Sequence, residues 1–168
     1  MSRRLRVAFC CNTRHADDEF NVEYEPEETI HHVKDGIERA GWEYLQIEAD
    51  EDCYLNLRKL RPDIVFNRAE GIRGESRESQ IPAFCEMLGI PYVGSGIMAN
   101  AIGLDKPTTK MVLEYHGLKT APFQVLNGPD EKLAVKDEVV YKGIDALAAY
   151  REGRLTQREY VRVMRAAR

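Results

Sequence analysis

Short apolar runs alternate with helix-like patterns along the first 126 residues of the chain. Four of these runs predict strands, at residues 5–11, 42–49, 64–66 and 90–93. Between them, apolar residues recur at helical spacing, as at Ile30, Val33 and Ile37. Strands that alternate with helices predict right-handed βαβ units. The expected fold class is therefore α/β, with a parallel sheet and helices on both of its faces.

The last forty residues follow a different pattern. A strong turn signal, Asn-Gly-Pro-Asp at residues 127–130, comes first. Two arginine-rich helical patterns, at residues 145–151 and 157–167, then predict an amphipathic C-terminal helical hairpin. Its basic residues would form a solvated face or dock on an acidic surface. We therefore expect a first domain at residues 1–127 and a separate region at 128–168.

Composition indicates a globular chain and argues against two kinds of partner. The 168 residues are 43% hydrophobic and 31% charged, which is usual for a folded domain. No apolar run approaches the roughly 18 residues of a membrane span, and no signal-peptide pattern follows Met1. The net charge of −4 gives no electrostatic support for a nucleic-acid partner. We expect a cytoplasmic protein that binds neither a membrane nor nucleic acid.

The cysteines fit a reducing compartment. There are four, Cys10, Cys11, Cys53 and Cys85, and no two of them form a Cys-x-x-Cys motif. Adjacent residues of a strand point to opposite faces of the sheet, so Cys10 and Cys11 would enter different sides of the core. Buried free thiols are the expected state, and we assign no metal ligands.

Three loops follow predicted strands and are candidates for a binding site. They lie at residues 12–25, 67–76 and 94–96. In an open parallel sheet, ligands bind at the carboxyl ends of the strands, so these loops would meet at one edge.

The second loop has the charges that a zwitterion needs. Glu70 could bind an ammonium group, and Arg68 or Arg73 could bind a carboxylate. Gly71 would allow the backbone to approach a ligand closely. The competing interpretation is a surface loop whose charges pair with each other.

Two further segments suit an anion. Gly94 and Ser95 form a turn that enters a helix, whose first N–H groups can bind negative charge. Asp105 can cap the next helix, where Lys106 and Lys110 lie one turn apart. A lysine near a helix N-terminus opposes the helix dipole, which hints at an anionic ligand, although an exposed lysine pair is the simpler interpretation.

The order of motifs after the fourth strand resembles one enzyme family. The stretch LGIPYVGSG at residues 88–96 is followed by Asp105-Lys106, then by Lys110 and by Gly117-Leu118. This order is similar to that of the D-alanine–D-alanine ligase family of ATP-grasp enzymes, over roughly residues 4–127.

The resemblance implies a Rossmann-like pre-ATP-grasp domain that binds substrate beside a nucleotide-binding domain. It implies an amino acid or dipeptide-like small molecule as ligand, with Glu70, Gly71, Gly94 and Ser95 as substrate-binding residues. It also implies the cofactors ATP and Mg, with Lys106 and Lys110 near the nucleotide.

The chain also departs from this family. Glu70-Gly71 stands where the best-known ligases have His-Gly, and the glycine-rich phosphate loop and the magnesium motif are missing from the sequence. Phosphoryl transfer needs such groups to neutralise developing charge, so we assign no catalytic residue. The expected function is the N-terminal substrate-domain portion of a D-alanine–D-alanine ligase-like, ATP-dependent carboxylate–amine ligase that is inactive alone, with residues 128–168 as a truncated or replaced ATP-grasp region. The portion would be either truncated or completed by another polypeptide, and the expected partner is an ATP-grasp chain or a second copy of this chain. The alternative is a non-catalytic, ligase-derived binding or interaction module.

Overall fold

A computed structural model of the protein describes residues 3–15, 22–126 and 139–141. The chain divides into two compact units, Met1–Leu104 and Asp105–Arg168. The predicted boundary at residues 127 and 128 and the predicted hairpin both lie outside the described residues, so they stay predictions.

The first unit alternates strands and helices as the apolar pattern predicts. Its elements are β1 (Arg6–Cys11), α1 (Glu27–Arg39), β2 (Glu43–Glu48), α2 (Cys53–Leu60), β3 (Ile64–Asn67), a 3-10 turn (Arg77–Ser79), α3 (Gln80–Leu88), β4 (Tyr92–Val93) and α4 (Ile97–Leu104). The fourth strand is shorter than predicted. Pro91 precedes it and has no N–H to donate to the ladder, although its carbonyl still accepts from Val65 N at 2.9 Å.

The four strands form one parallel sheet in the order β2-β1-β3-β4. Ala8 of β1 lies opposite Leu45 of β2 on one side and Val65 of β3 on the other. The chain moves outward from β1 to β2 and then returns past β1 to β3. The point between β1 and β3 where this direction reverses is where such sheets bind ligands.

Helices cover both faces of the sheet, which confirms the predicted fold class. On one face, Ala8 and Cys10 pack with Leu57 of α2 and with Ile81 and Cys85 of α3. On the other face, a second cluster contains residues of β1 and α1: Phe9, Cys11 and Ile30. The adjacent cysteines therefore enter opposite sides of the core, as strand geometry requires.

The second unit contains α5 (Lys106–Tyr115) and a parallel strand pair, β5 (Gln124–Leu126) and β6 (Val139–Tyr141). Asp105 caps α5 as predicted, because its Oδ1 accepts a hydrogen bond from Thr108 N at 2.8 Å. Among the helices described, none is long and apolar enough to cross a membrane.

We predict that the four cysteines are unreactive in the folded protein. All four side chains are buried, and burial raises the pKa of Cys11 and of Cys85 to about 12. The thiolate is the reactive form, so Ellman's reagent should detect the four thiols only after denaturation. Raising the pH of the native protein from about 7 to about 9, past the ordinary cysteine pKa, should make few additional thiols reactive toward the reagent. Rapid reaction of one thiol in the native chain would contradict this packing.

Candidate functional site

Asn12 connects the strand ends at the edge of the sheet where the chain reverses direction. It directly follows β1, and the residue is only 6% exposed. Its Oδ1 accepts hydrogen bonds from Glu70 N at 2.8 Å and Gly71 N at 3.2 Å. Its Nδ2 donates to Ala49 O at 3.0 Å and to Gly71 O at 3.2 Å. Residues that follow β1, β2 and β3 are thus held together by one side chain.

Gly71 is confined from its other side by the 3-10 turn. Its φ is +84°, and a Cβ at this position would lie 2.1 Å from Arg77 O. A side chain there would both strain the backbone and collide with a carbonyl that cannot easily move. The Glu70–Gly71 segment is therefore fixed between the Asn12 carboxamide and the backbone of Arg77.

Glu70 is a partly buried carboxylate among charges of both signs. Its side chain is 29% exposed, and its Oε2 lies 3.7 Å from Arg77 Nη2. The same guanidinium donates to Glu23 Oε2 at 2.8 Å. Burial raises the pKa of Glu70, and so do the charges of Glu23 and Glu78, while Arg77 and Arg68 oppose the shift.

The two arginines that sequence reasoning selected are bound to other carboxylates. Arg68 donates from Nε and Nη2 to Glu25 Oε1, at 2.9 and 2.5 Å, and the Glu25 side chain is only 8% exposed. Arg73 donates to Glu51 Oε1 at 2.8 Å. Arg77, which the sequence analysis did not select, is the guanidinium beside Glu70. The loop charges are thus partly paired, but with other loops rather than with each other.

The ends of the loop at residues 12–25 meet beside Asn12. Glu25 N donates to Asn12 O at 2.8 Å, and Arg14 N donates to Glu25 O at 2.9 Å. Thr13 is fixed to β2, since its N and Oγ1 donate to the two carboxylate oxygens of Glu48 at 2.8 and 2.5 Å. These bonds hold Glu25 in position to accept the hydrogen bonds from Arg68.

Gly94 and Ser95 lie at the carboxyl end of β4. Gly94 adopts a φ of +123°, and the exposed Ser95 is held through its carbonyl, which accepts from Asn100 Nδ2 at 3.0 Å. Asn100 Nδ2 also lies 3.4 Å from Glu78 O. Asn100 therefore ties this turn to the 3-10 turn that confines Gly71.

Lys106 and Lys110 belong to the second unit, and both are half-buried. Lys110 Nζ donates to Thr120 Oγ1 at 3.0 Å and lies 3.4 Å from Ala121 O. It also lies 5.5 Å from the centre of the Phe123 ring, which is within cation–π range. Lys110 thus binds the segment after α5, and the exposed lysine pair considered from the sequence is not what the structure has.

The described residues do not form a magnesium site of three protein ligands. Within residues 3–15, 22–126 and 139–141, no three His, Cys, Asp or Glu side chains converge in a way that could hold a metal. The lysines could offer positive charge to phosphates, but Lys110 already bonds Thr120. The described parts of the chain therefore offer lysines to phosphates but no preformed three-ligand metal site.

Comparison with known proteins agrees with the motifs. The chain is 32% identical to the D-alanine–D-alanine ligase of Syntrophotalea carbinolica over 112 residues, which cover 62% of this chain and 36% of the relative. It is 35% identical to that of Citrifermentans bemidjiense over 111 residues, 66% of this chain and 34% of the relative. The chain is thus similar to part of the D-alanine–D-alanine ligases. This confirms the family resemblance.

The structural comparison supports the same fold. The D-alanine–D-alanine ligase of Bacillus anthracis, solved in complex with ATP, matches with a TM-score of 0.53 at 22% identity, over 71% of this chain and 37% of that one. No protein-family model matches the chain. The chain spans about a third of the length of the ligases that it matches.

We predict that Gly71→Ala destabilises the protein much more than Gly74→Ala. Gly74 has a φ of +99° and nothing within 4 Å of an added Cβ, whereas Gly71 would meet Arg77 O. Gly74→Ala is the control and should lower the free energy of unfolding by about 1 kcal/mol, because alanine is strained in the left-handed region. Gly71→Ala should lower it by about 2 kcal/mol more, because the added Cβ overpacks the site. Urea unfolding measures both, and equal effects would show that the carbonyl does not confine Gly71.

We predict that Glu70→Gln stabilises the protein at neutral pH but not in acid. The pKa of Glu70 is raised in the fold, so its ionised form is less favourable in the folded than in the unfolded state. This penalty is absent below the ordinary glutamate pKa of about 4.3 and grows as the pH rises through the raised value.

Urea unfolding at about pH 7 and about pH 3.5, on either side of the ordinary glutamate pKa, should show the difference. Glu51→Gln is the control, because the Glu51 carboxylate is 71% exposed and binds Arg73, which lies in the same loop as Glu70. Glu51→Gln should change the free energy of unfolding only slightly at both pH values, as is usual for surface ion pairs. A Glu70→Gln protein that is less stable than the wild type at neutral pH would contradict the prediction.

Proposed function

We propose that this chain is the substrate-domain portion of a D-alanine–D-alanine ligase-like enzyme. The full reaction would be ATP-dependent joining of a carboxylate to an amine. The observation that carries the proposal is Glu70, whose backbone N–H is held by Asn12 at the carboxyl ends of the strands and whose carboxylate is adjacent to the Arg77 guanidinium. The homology to ligases that join amino acids supports it.

The pair of charges suits the two ends of an amino acid. The 3.7 Å between Glu70 Oε2 and Arg77 Nη2 is longer than a hydrogen bond. Glu70 would accept from a ligand ammonium group. Arg77 would donate to a ligand carboxylate, because a guanidinium has five N–H donors and one Nη2 bond goes to Glu23. The turn at Gly94 and Ser95 would bound the same ligand on the β4 side.

Nucleotide chemistry would depend on further protein groups. Lys106, assisted by Lys110, would bind phosphates near the N-terminus of α5. ATP and Mg would act together with an ATP-grasp segment, because the chain matches only about a third of its relatives' length. That segment would come from another polypeptide or a longer chain, and the 168-residue chain alone would be inactive.

A second function has one observation in its favour. Arg68 and Arg77 already bind protein carboxylates, Glu25 and Glu23, as in a site that has no small-molecule ligand. A non-catalytic, ligase-derived interaction module that binds another protein would fit this pairing. Ligand binding separates the two functions.

We predict that the 168-residue chain binds D-alanine, measured by titration calorimetry. Replacing Glu70 by Gln removes the charge that meets the ammonium, and hydrogen bonds to charged groups are worth about 1.5–3 kcal/mol. Glu70→Gln should therefore weaken binding about 10-fold or more. Glu51→Gln, whose exposed carboxylate bonds Arg73, should leave the affinity unchanged. A wild-type chain that binds neither D-alanine nor a D-amino-acid dipeptide would overturn the substrate assignment.

The same titration with ATP–Mg tests the nucleotide part. Lys106→Ala should weaken binding about 10-fold, the scale of one charge-assisted contact. The wild-type chain should release no phosphate from ATP when amino acids are present. Amino-acid-dependent phosphate release above that of the Glu70→Gln variant would show that the chain is active alone.

A further inference from the structure

The carboxamide of Asn12 uses its whole hydrogen-bonding capacity. Asparagine offers two donors and two acceptor sites, and all four engage the Glu70 and Gly71 amides and the Ala49 and Gly71 carbonyls. Its donor and acceptor sides cannot be exchanged, because the oxygen faces two N–H groups and the nitrogen faces two carbonyls. The side chain is therefore fixed in one orientation.

These bonds begin where the backbone ladder ends. Ala49 N donates to Cys11 O and Arg68 N donates to Cys10 O, both close to 2.9 Å. Beyond these two bonds, Asn12 joins the end of β2 to the loop after β3 across the point where the chain reverses. Its side chain thus takes the place of backbone pairing for the Glu70–Gly71 segment.

We propose that Asn12 is the positioning residue for Glu70. By holding the Glu70 and Gly71 peptide groups, it keeps the Glu70 carboxylate 3.7 Å from Arg77 and within electrostatic range of Glu23 and Glu78. That Glu70 meets a ligand rests on the proposed function, whereas the positioning itself is a property of the protein without ligand.

Amide hydrogen exchange tests the positioning directly. In Asn12→Ala, the amides of Glu70 and Gly71 lose their acceptor and should exchange at least about 10-fold faster, as expected for local opening. The amides of Val7 to Phe9 in β1 should stay within about two-fold of the wild type. Asn56→Ala is the control, because it makes the same change within α2, outside the set of hydrogen bonds that Asn12 makes, and it should change neither group. If the alanine variant does not fold, Asn12→Ser keeps a hydroxyl in the buried position and serves the same measurement.

The titration of Glu70, followed by carboxyl NMR, gives a readout that a purely structural role would not move. The charged groups that face it are Glu23, Glu78, Arg77 and Arg68. Loss of the Asn12 bonds should return the midpoint toward the ordinary glutamate value, because the carboxylate leaves its partly buried place beside the other acids. Asn56→Ala, which changes no charge, should leave the midpoint unchanged.

Two results would overturn the proposal. One is faster exchange throughout β1, which would make Asn12 a general stability residue. The other is unchanged exchange and titration at Glu70. A wild type that binds neither D-alanine nor a D-amino-acid dipeptide would overturn the substrate assignment but leave both readouts decisive for Asn12. If D-alanine does bind, Asn12→Ala should weaken it about 10-fold, and adding Glu70→Gln should produce little further loss because the two residues act as a unit.

Discussion

Strand β1 is paired along both edges and covered on both faces, and this double burial constrains the rest of the first unit. Residues Val7 to Cys11 are all buried, so the strand must be apolar along its length. The first residue that follows, Asn12, is still buried and is polar, and it has to satisfy its hydrogen bonds within the protein. It does so by binding Ala49, Glu70 and Gly71. The packing of the core thereby determines where the candidate site forms.

The fold could be predicted because its signals are local. Short apolar strands, helical spacing in α1 and stop signals such as Gly89 all lie within a few residues of each other. Gly89 indeed ends α3 in the left-handed conformation, with a φ of +65°. The strand order β2-β1-β3-β4 was not predicted, because right-handed crossovers restrict the possible orders without selecting one.

The candidate site could be predicted only in part, because its contacts join distant segments. Glu70 and Gly71 were identifiable from a charged, glycine-bearing loop after a buried strand. The carboxylates that bind the nearby arginines could not be identified, because they are distant in sequence. Arg68 binds Glu25, which is 43 residues away, and Arg77 binds Glu23, which is 54 residues away. Arg73, the other arginine selected from the sequence, binds Glu51 instead. A single polar residue directly after an apolar strand was the one available signal for Asn12.

The buried sulfur atoms have a practical consequence. Cys10, Cys53 and Cys85 fill one side of the core as small apolar groups, and Cys11 fills the other. Since the native thiols are shielded, a cysteine introduced at exposed Ser95 would be the selective attachment point for a fluorophore, with no background substitutions needed. Asn100 connects this turn to the 3-10 turn that confines Gly71. The fluorescence of a dye at residue 95 would therefore report on conformational changes at the carboxyl ends of the strands, with the rest of the sequence unaltered.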